Sequence, residues 1–388
     1  MRRLVIGACL LLLAVIAGRF FMGSTTTAPV VPAPLPAGAA AGPRPVSPQP
    51  LGEEDTLRQS ASLAAQQQPA AADARSRILA AVSALDAADS GRVYLLSELS
   101  DLVRADPSLP GFILQQLRAR QLKDRTRAAL YVVLQLADTE AAQSALVSVL
   151  TDTSWSLKDS QRAVMALGGI RHPTPETVAA LWDAVGGAPQ GGERQLIGID
   201  ATLALGSIGN TMRQADNPDY YALRQRLLIG AASGDATGYS VRQRTLYLLA
   251  LGNTRDPALT ADVTPLLDDG AAQVRRAAAA VLGSLDTDAA ADQLLSHLRS
   301  EQNSAVRAAI VGALVQWGTP TAAAMTSMRT DILAEPNEET RFNMARLLTG
   351  NLQQFPENRA ALLDLLPTEQ SQRIRRMVAA ALAKNPGR

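Results

Sequence analysis

The chain has 388 residues, 37 Lys plus Arg against 36 Asp plus Glu, and a formal net charge of +1. That balance argues against a protein dedicated to nucleic acid, which needs a basic surface to neutralise phosphates. A single cysteine excludes an intrachain disulfide, and two histidines leave little material for metal or acid–base chemistry.

Arg2 and Arg3 precede an uncharged apolar run over residues 4–18, which resumes after Arg19 as Phe20-Phe21-Met22. Fifteen residues match the core of a signal peptide and are marginal for a membrane span. Extended through Met22, with Arg19 snorkelling to the interface, the segment reads as an uncleaved signal anchor. A cleaved signal peptide is the alternative, although no Ala-x-Ala site follows promptly. The paired arginines stay inside in both cases. The expected location is a bacterial inner membrane, crossed once by residues 4–22, with the remainder in the periplasm; the alternative is an exported soluble protein. Cys9 lies within this run. Ile6-Gly7-Ala8 ahead of it looks like a lipidation box, but the apolar stretch follows the cysteine instead of preceding it, so Cys9 reads as a small apolar residue.

Residues 23–72 are rich in Thr, Pro, Ala and Gln, as in Thr25-Thr26-Thr27-Ala28-Pro29. Such a stretch cannot bury enough apolar area to offset its ordering entropy, so it is expected to be a disordered tether. Glu53-Glu54-Asp55 within it reads as a solvated helix start.

Residues 73–388 read as helical repeats. Arg127 opens Ala128-Ala129-Leu130-Tyr131, and Arg162 opens Ala163-Val164-Met165-Ala166-Leu167-Gly168. The run over residues 199–206 repeats the theme, and counting every unit gives about eight. Gly206 to Gly252 is 46 residues, longer than its counterparts. The excess, residues 209–221, is expected to form a surface loop or a lengthened helix start, and insertions in repeat arrays often sit on a binding face. Downstream, Arg242, Arg275, Arg307, Arg341 and Arg375 recur in steps of 33, 32, 34 and 34 residues. In the segment starting at Val274-Arg275, the residues Val274, Ala277, Ala278, Val281 and Leu282 make one apolar stripe. Gly283 suits the left-handed position after the last turn. Another apolar stretch and a polar turn precede each such helix, as in Leu266-Leu267-Asp268-Asp269-Gly270. The fold class is therefore all-α: an α–α superhelix preceded by a membrane-targeting helix and a disordered linker, with boundaries at 1–22, 23–72 and 73–388.

The Leu-Leu-Asp-Asp turn before Val274-Arg275, the Arg-Ala-Ala starts at Arg276 and Arg307, and the Ala-Leu-Gly closures at Gly168 and Gly206 carry a family resemblance. With the closure at Gly252, they resemble the HEAT-repeat family, particularly the short bacterial units of the kind found in bilin lyases. The resemblance implies a turn Asp that pairs with the Arg of the next helix. Asp268 or Asp269 with Arg275 fits best, and elsewhere the acid is displaced or absent. The family serves many functions, so the resemblance implies the fold and little about activity.

Sequence features of catalysis are scarce. His172 lies in an inter-helix turn, His297 lies between Leu295 and Leu298, and neither has a second ligand at metal spacing. The Gly186-Gly187 stretch lacks the lysine and hydroxyl of a phosphate loop. The reading is a non-enzyme without cofactor or metal: a membrane-tethered scaffold with a protein partner on its surface and no nucleic acid. Trp155, in a polar turn, and the Tyr220-Tyr221 pair in the long insertion are the candidate partner-binding residues, since Trp, Tyr and Arg dominate interface hot spots. The alternative is lipid or lipoprotein handling, because residues 201–209 look somewhat like the helical domain of large lipid-transfer proteins. A third possibility, enzymatic by analogy to bilin lyases, has no paired His or Cys behind it.

Overall fold

Ala, Leu and Val at helical spacing, set between Ser, Thr and Asn caps, fold the repeat region into antiparallel helix pairs. The computed structural model describes residues 73–87, 93–119, 122–187, 192, 194–232, 239–316 and 320–385. All lie within the unit Ser62–Arg388. The targeting segment 1–22 and the linker 23–72 lie outside the described residues.

The helices are α1 (73–87), α2 (Val93–Ala105), α3 (Leu109–Ala119), α4 (Asp124–Ala137), α5 (Glu140–Thr151), α6 (Leu157–Gly168), α7 (Pro175–Gly187), α8 (Gln195–Gln214) and α9 (Asp219–Ala231). Then follow α10 (Val241–Thr254), α11 (Leu259–Val263) with a 3₁₀ turn (Thr264–Asp268), α12 (Ala272–Leu285), α13 (Asp288–Leu298) and α14 (Ser304–Gln316). The last four are α15 (Ala322–Asp331), α16 (Glu338–Gly350), α17 (Asn358–Leu365) and α18 (Gln372–Lys384). Among the described residues there is no strand, and no helix is long and apolar enough to cross a membrane.

Two layers result. Each even helix from α2 to α18 packs on the next even helix, and these contacts carry most of the core. The odd helices touch one another closely among α3, α5 and α7 and among α13, α15 and α17, but α9 meets α7 and α11 only slightly. Thr139, Ser156, Thr287, Thr321 and Asn337 cap their helices by accepting a backbone N–H, and Ser240 forms a reciprocal capping box with Gln243.

The glycines of the Ala-Leu-Gly closures do not occupy left-handed positions. Gly283 lies inside α12, and the left-handed residue after that helix is Asp286; after α10 it is Arg255. The glycines instead mark where even helices cross. A Cβ on Gly206 would sit 2.1 Å from the Ala250 carbonyl oxygen, and one on Gly283 would sit 2.5 Å from Ala313 Cβ. Close backbone approach, not helix termination, selects glycine there.

The arginine ladder also differs from expectation. Its register is the fourth residue of an even helix: Arg127 in α4, Arg244 in α10, Arg275 in α12, Arg307 in α14 and Arg341 in α16. Arg244, two residues after Arg242, thus carries the rung of α10. Each of these arginines reaches forward to the acid of the following repeat. Arg275 Nε lies 2.8 Å from Glu301, Arg307 Nε 3.0 Å from Glu335 and Arg341 Nε 2.9 Å from Glu369, while Arg244 binds Asp269. Toward its own turn the arginine donates only to main-chain carbonyls; Arg275 meets the Asp269 carbonyl oxygen at 2.8 Å, not its carboxylate. The acids meanwhile accept the N–H two residues on, at Ala271, Asn303, Asn337 and Ser371. One carboxylate therefore fixes its own turn and the helix before it. Arg341 holds Glu369 below the usual carboxylate range against its burial; burial opposes the same shift at Glu301 and Asp269, where Arg275 and Arg244 prevail.

Candidate functional site

The three sequence candidates fall into different environments. Trp155 follows α5 in the Asp152-to-Ser156 turn, yet it is only 7% exposed and belongs to the core. The turn folds inward because Ser156 caps α6, Asp152 accepts the Ser154 N–H at 2.9 Å, and the Arg118 guanidinium covers the indole at 4.5 Å. An amphipathic side chain in a polar turn can still find an apolar floor. Beside it, Leu117, Arg118, Arg127, Ser154, Trp155, Ser156 and Asp159 line an open cleft of about 290 Å³. Asp159 sits at the floor, accepting from Arg127 Nη2 at 2.7 Å and Ser156 at 2.6 Å, and these bonds keep its carboxyl below the usual range although burial opposes them.

Residues 209–221 do not form a loop. Six of them complete the 20-residue helix α8, four make a tight turn with Asp216 in the left-handed region, and three begin α9. Tyr220 therefore faces inward from the first turn of α9, is 3% exposed, and donates its hydroxyl to Asp256 at 2.7 Å; burial raises its phenol. Tyr221, one position on, is 69% exposed, its ring tilted at 5.8 Å from that of Tyr220. Of the candidates only Tyr221 is open to solvent. Trp155 sits in a different repeat from the tyrosines.

Tyr221 has company that the sequence reading missed. Ala222, Gln225, Arg226 and Ile229 are exposed with it along α9, with Ile229 at 54%. Tyr239 and Val241, at the start of the next helix, are exposed as well. Four of the nine large hydrophobics that are exposed among the described residues thus fall between positions 221 and 241. The cause is local: α9 buries the stripe Tyr220, Leu223, Leu227 and Ala231 toward α8 and α10 but has only slight contact with its layer neighbours, so its opposite side stays uncovered. Arg226 bridges the gap to α7 by lying 3.9 Å over the Trp182 ring, while Arg224 is held by Asp256 and Asp262. On the inner side, a Cβ on Gly230 would meet the Tyr247 ring at 2.5 Å, so α9 and α10 approach closely there. The available signal was the spacing Tyr221, Gln225, Ile229, one line on a helix.

The two histidines hold structural positions. His172 Nδ1 lies 2.7 Å from Asp138, and His297 lies 3.4 Å from both Asp268 and Glu301. Among the described residues no group of three or more His, Cys, Asp or Glu is placed to hold a metal.

Residues 225–315 match the family model described as HEAT repeats. No curated protein matches the chain. Among solved structures, human deoxyhypusine hydroxylase in complex with glycerol is 20% identical with a TM-score of 0.29, over 72% of this chain and 97% of that one. An engineered protein is 16% identical with a TM-score of 0.34, over 79% and 88%. The complex of CpcE and CpcF of phycocyanin lyase from Nostoc sp. PCC7120 is 17% identical with a TM-score of 0.33, over 72% and 94%. Similarities this remote carry no argument about activity.

Proposed function

We propose, on the match of residues 225–315 to HEAT repeats, that the chain is a HEAT-repeat protein and a non-catalytic scaffold, tethered to the membrane by residues 4–22, whose exposed α9 face binds a protein partner in the cell envelope. The observation that carries this reading is that Tyr221 and Ile229 are exposed on α9 together with Arg226, with Tyr239 and Val241 exposed at the start of the next helix. Exposed hydrophobics gathered in one place, with Tyr and Arg among them, mark interaction surfaces, whereas scattered single ones are ordinary. The tether rests on the paired arginines and apolar run of the N-terminus alone.

A photo-reactive phenylalanine at position 221 of the full chain, activated in membranes of the native host, tests the docking face. The expected product is a discrete cross-linked protein. A product formed equally from position 165, on the distant helix α6, or from neither position would move the binding face elsewhere. A periplasm-dependent reporter fused after Arg388 should be active and should stay with membranes after carbonate washing; export with release into the wash would replace the anchor by a cleaved signal.

A further inference from the structure

We infer that Arg226, braced on Trp182, is a receptor for a carboxylate side chain carried by an amphipathic helix of the protein partner. The inference rests on the docking reading above and names the chemistry of what docks.

The two arginines of α9 are in opposite states. Arg224 is neutralised by Asp256 and by Asp262. Arg226 lies over Trp182 and makes no hydrogen bond or ion pair with any described residue. Contact with the Trp182 ring at 3.9 Å restrains the guanidinium, and Arg226 is nevertheless exposed. A planar fork held in place loses less entropy on binding than a free one, and its geometry matches a carboxylate through two parallel bonds.

The surroundings select the remainder of the partner. Tyr221, Gln225 and Ile229 stand at i, i+4 and i+8, a ridge of about 12 Å along the helix. Arg226 borders that ridge. A straight ridge with Tyr221 and Ile229 at its ends and Gln225 between them fits the groove of a second helix laid along it. An entirely apolar helix would cover Arg226 and strand a desolvated cation, which is costly, and a lysine at the same place would add repulsion. Only an acid set among apolar residues satisfies the ridge and the arginine together.

The test uses the purified full chain in detergent and a fluorescein-labelled synthetic peptide, an amphipathic leucine-rich helix with one Glu on its apolar face. Its twin carries Gln at that position. The Glu peptide is expected to bind about tenfold more tightly than the Gln twin, the effect of hydrogen bonds to a charged group. Arg226→Met should abolish the preference, and Arg226→Lys, which keeps the charge without the fork, should leave it intermediate. Equal binding of the twins to the unmodified chain overturns the inference. So does a preference that survives Arg226→Met, or no binding of either peptide at millimolar concentration. Cross-linking from position 221 reports on docking separately: if it persists while the Glu preference is absent, the docking face stands and the carboxylate receptor falls.

Discussion

The helices from α10 to α18 and those from α2 to α9 use the same two-layer stacking but differ in what ties one repeat to the next. In the C-terminal part every rung is filled: Arg244, Arg275, Arg307 and Arg341 each hold the acid of the following turn. Among the described residues of the N-terminal part the rung occurs once, between Arg127 and Asp159. At the corresponding fourth position α6 and α8 carry Ser160 and Gly198, and Arg162 turns back to Asp124 and Asp159. Where the ladder runs, the turns repeat one geometry, each acid accepting the N–H two residues on. Where it is interrupted, the chain has the longest helix and the open face of α9. Regularity supports the array, and departures from it are where a surface can become particular to a partner.

Removing a rung from the regular part is the most severe test of this contrast. The Glu335 side chain is fully buried, binds Arg307 and fixes the Asn337 N–H. Glu335→Ala strands Arg307 and should cost about 3–5 kcal/mol. Asp152→Ala removes an exposed partner of Arg118 in the other part, and loss of that ion pair should lower stability far less than Glu335→Ala does. Urea unfolding measures both changes. Hydrogen exchange should place the Glu335→Ala loss in α13 to α16, because a repeat contacts only its neighbours. Equal costs would mean that the ladder does not distinguish the two parts.

The seam between even helices should be next in size. Gly206→Ala forces a methyl against the Ala250 carbonyl and should cost about 1–3 kcal/mol. Gly350→Ala meets nothing within 4 Å and should be neutral or stabilise by up to about 1 kcal/mol. Thermal melts of the two variants, moving in opposite directions, would establish that close approach is local to the crossing points. A stable Gly206→Ala would remove the explanation given for these glycines.

The layered helical fold was legible because helix periodicity and the arginine beat are local patterns repeated along the chain. The register of the beat was less so. Arg242 and Arg244 both lie at plausible distances from Asp269, and only the helix start at Val241, set by the Ser240 cap, makes Arg244 the fourth residue. The direction of the ladder was hidden too, since Asp269 is near Arg275 in sequence and its carboxylate nevertheless goes to Arg244. For the site, Trp155 was misjudged because a polar turn says nothing about what lies beneath it. Tyr220 was misjudged because, of two adjacent tyrosines, the one that faces inward is decided only by where α9 starts, at Asp219. Tyr221 was named, but Arg226 on Trp182 joins two helices across 44 positions of sequence and had no local signature.

Acid should separate the two parts more gently. Glu301 and Glu369 have carboxyls depressed from 4.5 in the folded state. The stability they contribute is complete above that unfolded value and is lost as pH falls below it through the folded values. The urea midpoint should therefore hold above about pH 4.5 and drop progressively as pH falls below it, with exchange protection lost first among the rungs of α12 to α18. Arg341→Met removes the main cause of the Glu369 shift and should flatten the pH dependence. A midpoint that rises on acidification would contradict the assigned direction.

Tyr221→Ala should have the smallest effect on folding and sharpens the comparison most, because its neighbour supplies the control. Tyr220→Phe deletes the donor to Asp256 inside the fold and should cost about 1–3 kcal/mol. Tyr221 is open to solvent, so its truncation should change stability by no more than about 0.5 kcal/mol. Circular dichroism melts of the two variants would show whether adjacent tyrosines divide cleanly between core and surface. If Tyr221→Ala melts as the unmodified chain does, a loss of partner association in that variant is an interface effect. If it unfolds the protein instead, α9 contributes to the core through both tyrosines, and the exposed ridge cannot be the docking face.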